Sequence, residues 1–183
     1  MAKVNADRIV GISAMLISLL TLIIFIYQTS LIRQQSRLSV TPRLILEADI
    51  NVESDDSLAY LTVFMENKGL GPAILEEGWI EFSGEKYPLN FLGFVEEALP
   101  EMLEYGDFNL SAPIDPGTTF SPEEEHTFFE FNFPAAQLQE FLGDFLQLEE
   151  NGRFPFDIVL RYASIYEEEW EISLSDNNKP RKR

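Results

Sequence analysis

Met65–Leu75 reads MENKGLGPAIL, and two glycines and a proline this close together suit either a loop that wraps a phosphate or the turn of a β-hairpin. The flanks decide between them. LAYLTVFMEN before the stretch and AILEEGWIEF after it both read as strands. A phosphate loop needs a Gly-Lys-Ser/Thr end or a G-x-G-x-x-G pattern leading into a helix. Here Pro72 removes an N–H where an anion would want one, and no helix follows. The stretch is therefore a turn. Asn67 and Gly69 tolerate positive φ, Gly71 permits a bulge or a close backbone approach, and Pro72, with no donor, suits the first residue of the returning strand.

Outward from this turn the pattern stays mostly β. RLILEADI sets Leu44, Leu46 and Ala48 against Ile45, Glu47 and Asp49. HTFFEFNF puts Phe129, Phe131 and Phe133 on one side and Phe128 on the other, which predicts a strand buried on both faces. FPFDIVLRYASI aligns Phe156, Ile158, Leu160 and Tyr162, and EEEWEISLS aligns Trp170, Ile172 and Leu174, so the two form a hairpin across Tyr166. Two segments have helical spacing instead. NFLGFVEEALPEMLEYG carries Phe91, Phe94, Val95, Ala98, Leu99, Met102 and Leu103, with Pro100 as a kink or boundary. FPAAQLQEFLGDFLQLEENG starts at Pro134, presents Leu138, Phe141, Leu142, Phe145 and Leu148, and stops at Asn151-Gly152. Both helices are expected to cover an open sheet face or edge.

The stretch VFMENKGLGPAIL resembles the hairpin of bacterial immunoglobulin-like adhesion modules, in which an N-x-G-x-G-P-A turn joins two core strands. With YQTSLIRQQSRLSVTPRL and YASIYEEEW, the chain also resembles a loose group of small bacterial single-pass membrane proteins. The resemblance implies an immunoglobulin-like β-sandwich and brings no catalytic residues with it. The two amphipathic helices depart from the simple adhesion modules.

Ile9 to Tyr27 is uncharged and, as a helix, spans roughly 28 Å, which matches a hydrocarbon core of about 30 Å. It is longer than the apolar region of a signal peptide, and a basic stretch replaces the small-residue cleavage site. The expected organisation is a tail at 1–8, a transmembrane helix at 9–27, a basic juxtamembrane stalk at 28–43, an acidic sandwich at 44–178 and a basic tail at 179–183. Arg33, Arg37 and Arg43 follow the helix without an acid, whereas Lys3 and Arg8 precede it beside Asp7. That bias favours an inner-membrane protein with a cytoplasmic carboxyl-terminal domain, and the KPRKR end could rest on anionic lipid or fray. Gly11, Ala14, Ser18 and Thr21 form a small-residue stripe suited to close helix packing and a homo-oligomer.

Charge and composition narrow the chemistry. With −18 overall and +4 at each end, residues 44–178 hold −26, which opposes nucleic acid binding. The absence of cysteine removes thiolate chemistry, and the single His126 removes histidine-rich zinc sites. No metal or cofactor is expected. Asp55-Asp56, Glu96-Glu97, Glu123–Glu125 and Glu167–Glu169 lack EF-hand order and read as solvated turn and edge charge. Ser121, Ser164 and Ser173 lie in no nucleophile elbow. Lys68, Lys86 and Arg161 are the candidate ligand-binding cations. The leading expectation is a non-enzymatic, membrane-anchored recognition domain that binds lipid, its own copies and another protein. The alternatives are a membrane effector gated by a small nucleotide messenger, as in antiviral defence, and a metal-dependent hydrolase.

Overall fold

The computed structural model describes residues 6–52, 57–110, 114–146, 155–176 and 179–183. Residues 1–5, Asp55-Asp56, Leu148, Asn151-Gly152 and Arg153 lie outside these, as does the side chain of Phe145. The chain divides into two units, Met1–Ser39 and Val40–Arg183.

The described residues of the first unit form one helix, α1 (Ala6–Leu38), long and apolar enough to cross a membrane. Nothing in QTSLIRQQSRL breaks a helix, so α1 runs on through Arg33 and Arg37, and the Ser39 N–H closes its end on the Gln35 carbonyl at 2.9 Å. Ser13, Thr21 and Thr29 donate their hydroxyls to the carbonyls of Val10, Ile17 and Phe25 at 2.9, 2.8 and 2.9 Å. These bonds satisfy the three hydroxyls within the helix itself.

The second unit is a sandwich of two antiparallel sheets. The first sheet takes β1 (Leu44–Val52), β2 (Leu58–Asn67), β5 (Asp107–Leu110) and β7 (Glu125–Pro134) in the order β1-β2-β7-β5. The second takes β3 (Ala73–Phe82), β4 (Glu85–Pro88), β6 (Thr119–Phe120), β8 (Phe156–Ala163), β9 (Glu169–Ser173) and β10 (Arg181–Lys182). Its order is β10-β9-β8-β3-β4, with β6 beside β3. Leu46, Leu61 and Val63 of the first sheet share one core with Leu75, Ile80 and Leu160 of the second. The expected inward rows of β1, β8 and β9 all face this core. The short strands β4, β5, β6 and β10 escape sequence reading because two to four residues carry no period.

Two bulges redirect side chains. Between β2 and β7 the register slips, so that Val63 faces Phe129 and Phe64 faces Thr127, leaving Phe128 as the extra residue. The expectation that β7 is buried on both faces is therefore corrected: the bulge turns Phe128 into the same core, 5.6 Å from the Phe91 ring. Between β3 and β8 the slip falls between Leu75 and Glu77. Ile80 and Phe82 then meet the core, while Trp79 is buried outside it.

Two helices pack on this core, one against both sheets and the other against the first. In α2 (Phe91–Ala98), Phe91 lies 4.9 Å from Phe129 of one sheet and 6.4 Å from Phe156 of the other. Leu99 ends α2, and a 3-10 turn starts at Pro100, the expected boundary. In α3 (Leu138–Leu146), Phe141 stacks 4.4 Å from Phe133, and Asp144 accepts a hydrogen bond from the Tyr105 hydroxyl.

Candidate functional site

The outer face of the second sheet carries a row of alternating charge. Register places Glu77 opposite Arg161, Arg161 opposite Glu171, and Glu171 opposite Arg181, so β3, β8, β9 and β10 contribute acid, base, acid and base in turn. Arg161 Nη1 lies 2.5 Å from Glu77 Oε2, and its Nε lies 2.8 Å from Glu171 Oε2. The bond to Glu171, then that to Glu77, holds the guanidinium above its ordinary pKa against the opposing effect of burial. Trp79 fills the adjacent space, 8% exposed, with Lys86 Nζ 3.7 Å and Arg161 Cζ 4.7 Å from its ring centre. Such cation–π contacts are worth about 0.5–1 kcal/mol each at exposed sites. The buried Trp79 indole N–H has no hydrogen-bond partner among the described residues.

Two of the three candidate cations thus meet, and the third does not join them. Lys68 sits on the β2–β3 turn, its Nζ 3.1 Å from Glu66 Oε2. Trp79, the centre of the patch, was missed in the sequence because its side of the strand depends on the bulge at Leu75/Glu77.

The β2–β3 turn keeps part of the expected chemistry. Asn67 and Gly69 do not use the positive φ they tolerate, whereas Gly71 takes the close backbone approach expected of it. Asn67 is the last residue of β2, completely buried, and its amide makes four bonds. Its Oδ1 accepts from the N–H groups of Arg43 and Gly69 at 3.2 and 3.0 Å. Its Nδ2 donates to the carbonyls of Gly71 and Phe120 at 2.9 and 3.0 Å. The glycines are there for space. A Cβ at Gly69 would stand 2.3 Å from the Arg43 nitrogen, and one at Gly71 1.9 Å from the Val40 oxygen. Residues 40–43, read from sequence as the end of the stalk, run against this turn, with Thr41 and Arg43 carbonyls accepting from Leu70 and Lys68 N–H groups. Pro72 precedes β3, as expected.

The other candidates are occupied locally. Ser164 Oγ accepts from the N–H groups of Tyr166 and Glu168, and Ser173 Oγ donates to Asp157. The Ser121 N–H donates to Glu124. The His126 ring meets Phe120 and Phe128 edge-on. Among the described residues, no three acidic or histidine side chains converge as a metal site. The carboxyl-terminal residues neither fray nor extend away from the domain: Lys182 bonds Glu168 at 2.8 Å, Arg181 bonds Asp176 at 2.8 Å, and the Arg183 N–H donates to the Glu169 carbonyl.

No family model matches the chain, and no curated protein matches it.

Proposed function

We propose that this protein is a non-enzymatic, single-pass membrane protein whose immunoglobulin-like sandwich binds another protein through the outer face of β9, β8, β3 and β4. The strand orders β1-β2-β7-β5 and β9-β8-β3-β4 correspond to the A-B-E-D and G-F-C-C′ sheets of that fold, which supports the immunoglobulin-like assignment. The observation that carries the binding role is Trp79, buried between Lys86 and Arg161 with its N–H unpaired. Trp and Arg are the residues most often dominant at protein interfaces, and because the indole N–H is shielded, a partner acceptor reaches it only by moving aside the Lys86 and Arg161 side chains that lie over the ring. Arg161 already serves two carboxylates, so an anionic messenger would have to displace them. Protein recognition is therefore favoured over nucleotide sensing.

A photo-crosslinking residue at Glu81 in the full chain tests this in cells. A discrete crosslinked partner is expected, its yield falling about tenfold with Trp79→Ala, in keeping with a central interface residue. Crosslinks that arise only from Thr62, on the first sheet, would move the interface to the other face. The anchor is proposed to lie in the inner membrane with the domain cytoplasmic, and alkaline phosphatase activity from a fusion after Arg183 would reverse that orientation. The stripe Gly11, Ala14, Ser18, Thr21 is proposed to hold copies together. Ala14→Leu with Ser18→Leu should then lower the oligomeric mass in detergent without affecting insertion, and a monomeric parent protein would end the idea.

A further inference from the structure

We propose that the outer edge of β9 is an acceptor for an extended, basic segment of a partner protein, and that the chain's own carboxyl-terminal strand covers this edge in the partner's absence. A sheet edge presents unpaired backbone groups to any strand that fits. Here the fit is specified by charge. The row Glu77, Arg161, Glu171 already alternates, so a strand added beyond β9 needs a cation opposite Glu171, and Arg181 stands there in the chain's own tail. Glu168 and Asp176 flank the same edge and each already binds a tail cation. The −26 carried by residues 44–178 attracts a basic segment and repels an acidic one.

The tail covers this edge lightly. Arg181 and Lys182 pair with β9 and the Arg183 N–H donates to Glu169, so among the described residues the tail leaves Ile172 and Ser173 at the far end of β9 unpaired on that edge. The Arg181 and Lys182 side chains are 71% and 59% exposed, and ion pairs at such exposure add little stability. A partner strand that continues along β9 makes more backbone bonds than the tail does and displaces it. The tail of a second copy gains no bond over the chain's own, which is held nearby at high effective concentration. A longer basic segment of another protein is thus the favoured occupant. This edge adjoins the Trp79 patch through the Arg161–Glu171 pair, but its acceptor groups are those of β9 and its flanking acids.

The experiment uses the full chain in detergent, a chain ending at Asn178, and a full-length variant with Arg181→Glu and Lys182→Glu. The probe is a fluorescent peptide of the chain's last six residues, Asn-Lys-Pro-Arg-Lys-Arg, followed by anisotropy. Both altered proteins should bind it about tenfold more tightly than the intact chain, with binding lost in high salt and on Glu168→Lys. The readout is peptide binding at the β9 edge and not the crosslinked partner, so failure here leaves the recognition face standing. Equal binding to all three proteins, or none to the altered pair while their thermal unfolding is unchanged, overturns the proposal. If the shortened chain does not fold, the charge-reversed one decides. A dimer of the intact chain that is lost on shortening assigns the edge to a second copy and overturns the partner assignment.

Discussion

The β2–β3 turn and the β8–β9 turn lie side by side, since Ile74 at the start of β3 pairs with Ala163 at the end of β8. They are built in opposite ways. The first spends its glycines on space: ordinary φ throughout, with the backbone of residues 40–43 laid where side chains would be. The second has no glycine yet takes positive φ at Glu167, 60°, and relies on the Ser164 hydroxyl to hold the loop. A glycine in a sequence therefore reports either a conformation or a neighbour, and the residue alone does not say which.

Four measurements break or sharpen that contrast. Gly71→Ala should have the largest effect, a loss of about 4 kcal/mol in denaturant unfolding of the full chain, because backbone cannot yield as a flexible side chain does. A loss below about 1 kcal/mol would mean that residues 40–43 lift away easily. Asn67→Ala should cost about 3 kcal/mol, since it orphans buried groups on three separate segments. Full stability in that variant would show that water replaces the amide.

The third measurement is an alkaline titration. Tyr162 accepts a hydrogen bond from the Leu44 N–H beside the first turn, and burial pushes its pKa up to about 12, against the opposing effects of that N–H and of Arg43. The unfolded tyrosine ionises first, near 10, so stability is full below that pH and falls as pH rises toward about 12, by about 2 to 3 kcal/mol. Tyr105 shifts the same way, chiefly through its bond to Asp144, so Tyr162→Phe should remove only part of the slope. An unaltered slope would show that Tyr162 does not drive the loss. The smallest effect belongs to the second turn: Glu167→Gly should raise stability by about 0.5 kcal/mol, as strain at positive φ slightly outweighs the added freedom of the unfolded chain. Destabilisation instead would mean that the Glu167 side chain supports the loop.

The sequence by itself determined what depends on local period and local charge. A run from Ile9 to Tyr27 has to be one apolar helix, and the inward rows Leu44-Leu46-Ala48 and Phe156-Ile158-Leu160-Tyr162 follow from a two-residue repeat that a sheet cannot ignore. The turn at Asn67–Pro72 was legible as a turn for the same reason, from the strands on either side. What the tertiary structure alone decided depends on contacts between residues far apart in the chain. A register slip against β7 brings Phe128 into the core, and one against β8 separates Trp79 from the core row of β3. Lys86 and Arg161 meet because β4 and β8 both pair with β3, whereas Lys68 remains on its turn with Glu66. Gly69 and Gly71 need space because residues 40–43 pass over them, and the basic tail is ordered because acids on β9 and its flanks receive it. In each case the partner residue is distant in sequence, and no local pattern can carry its position.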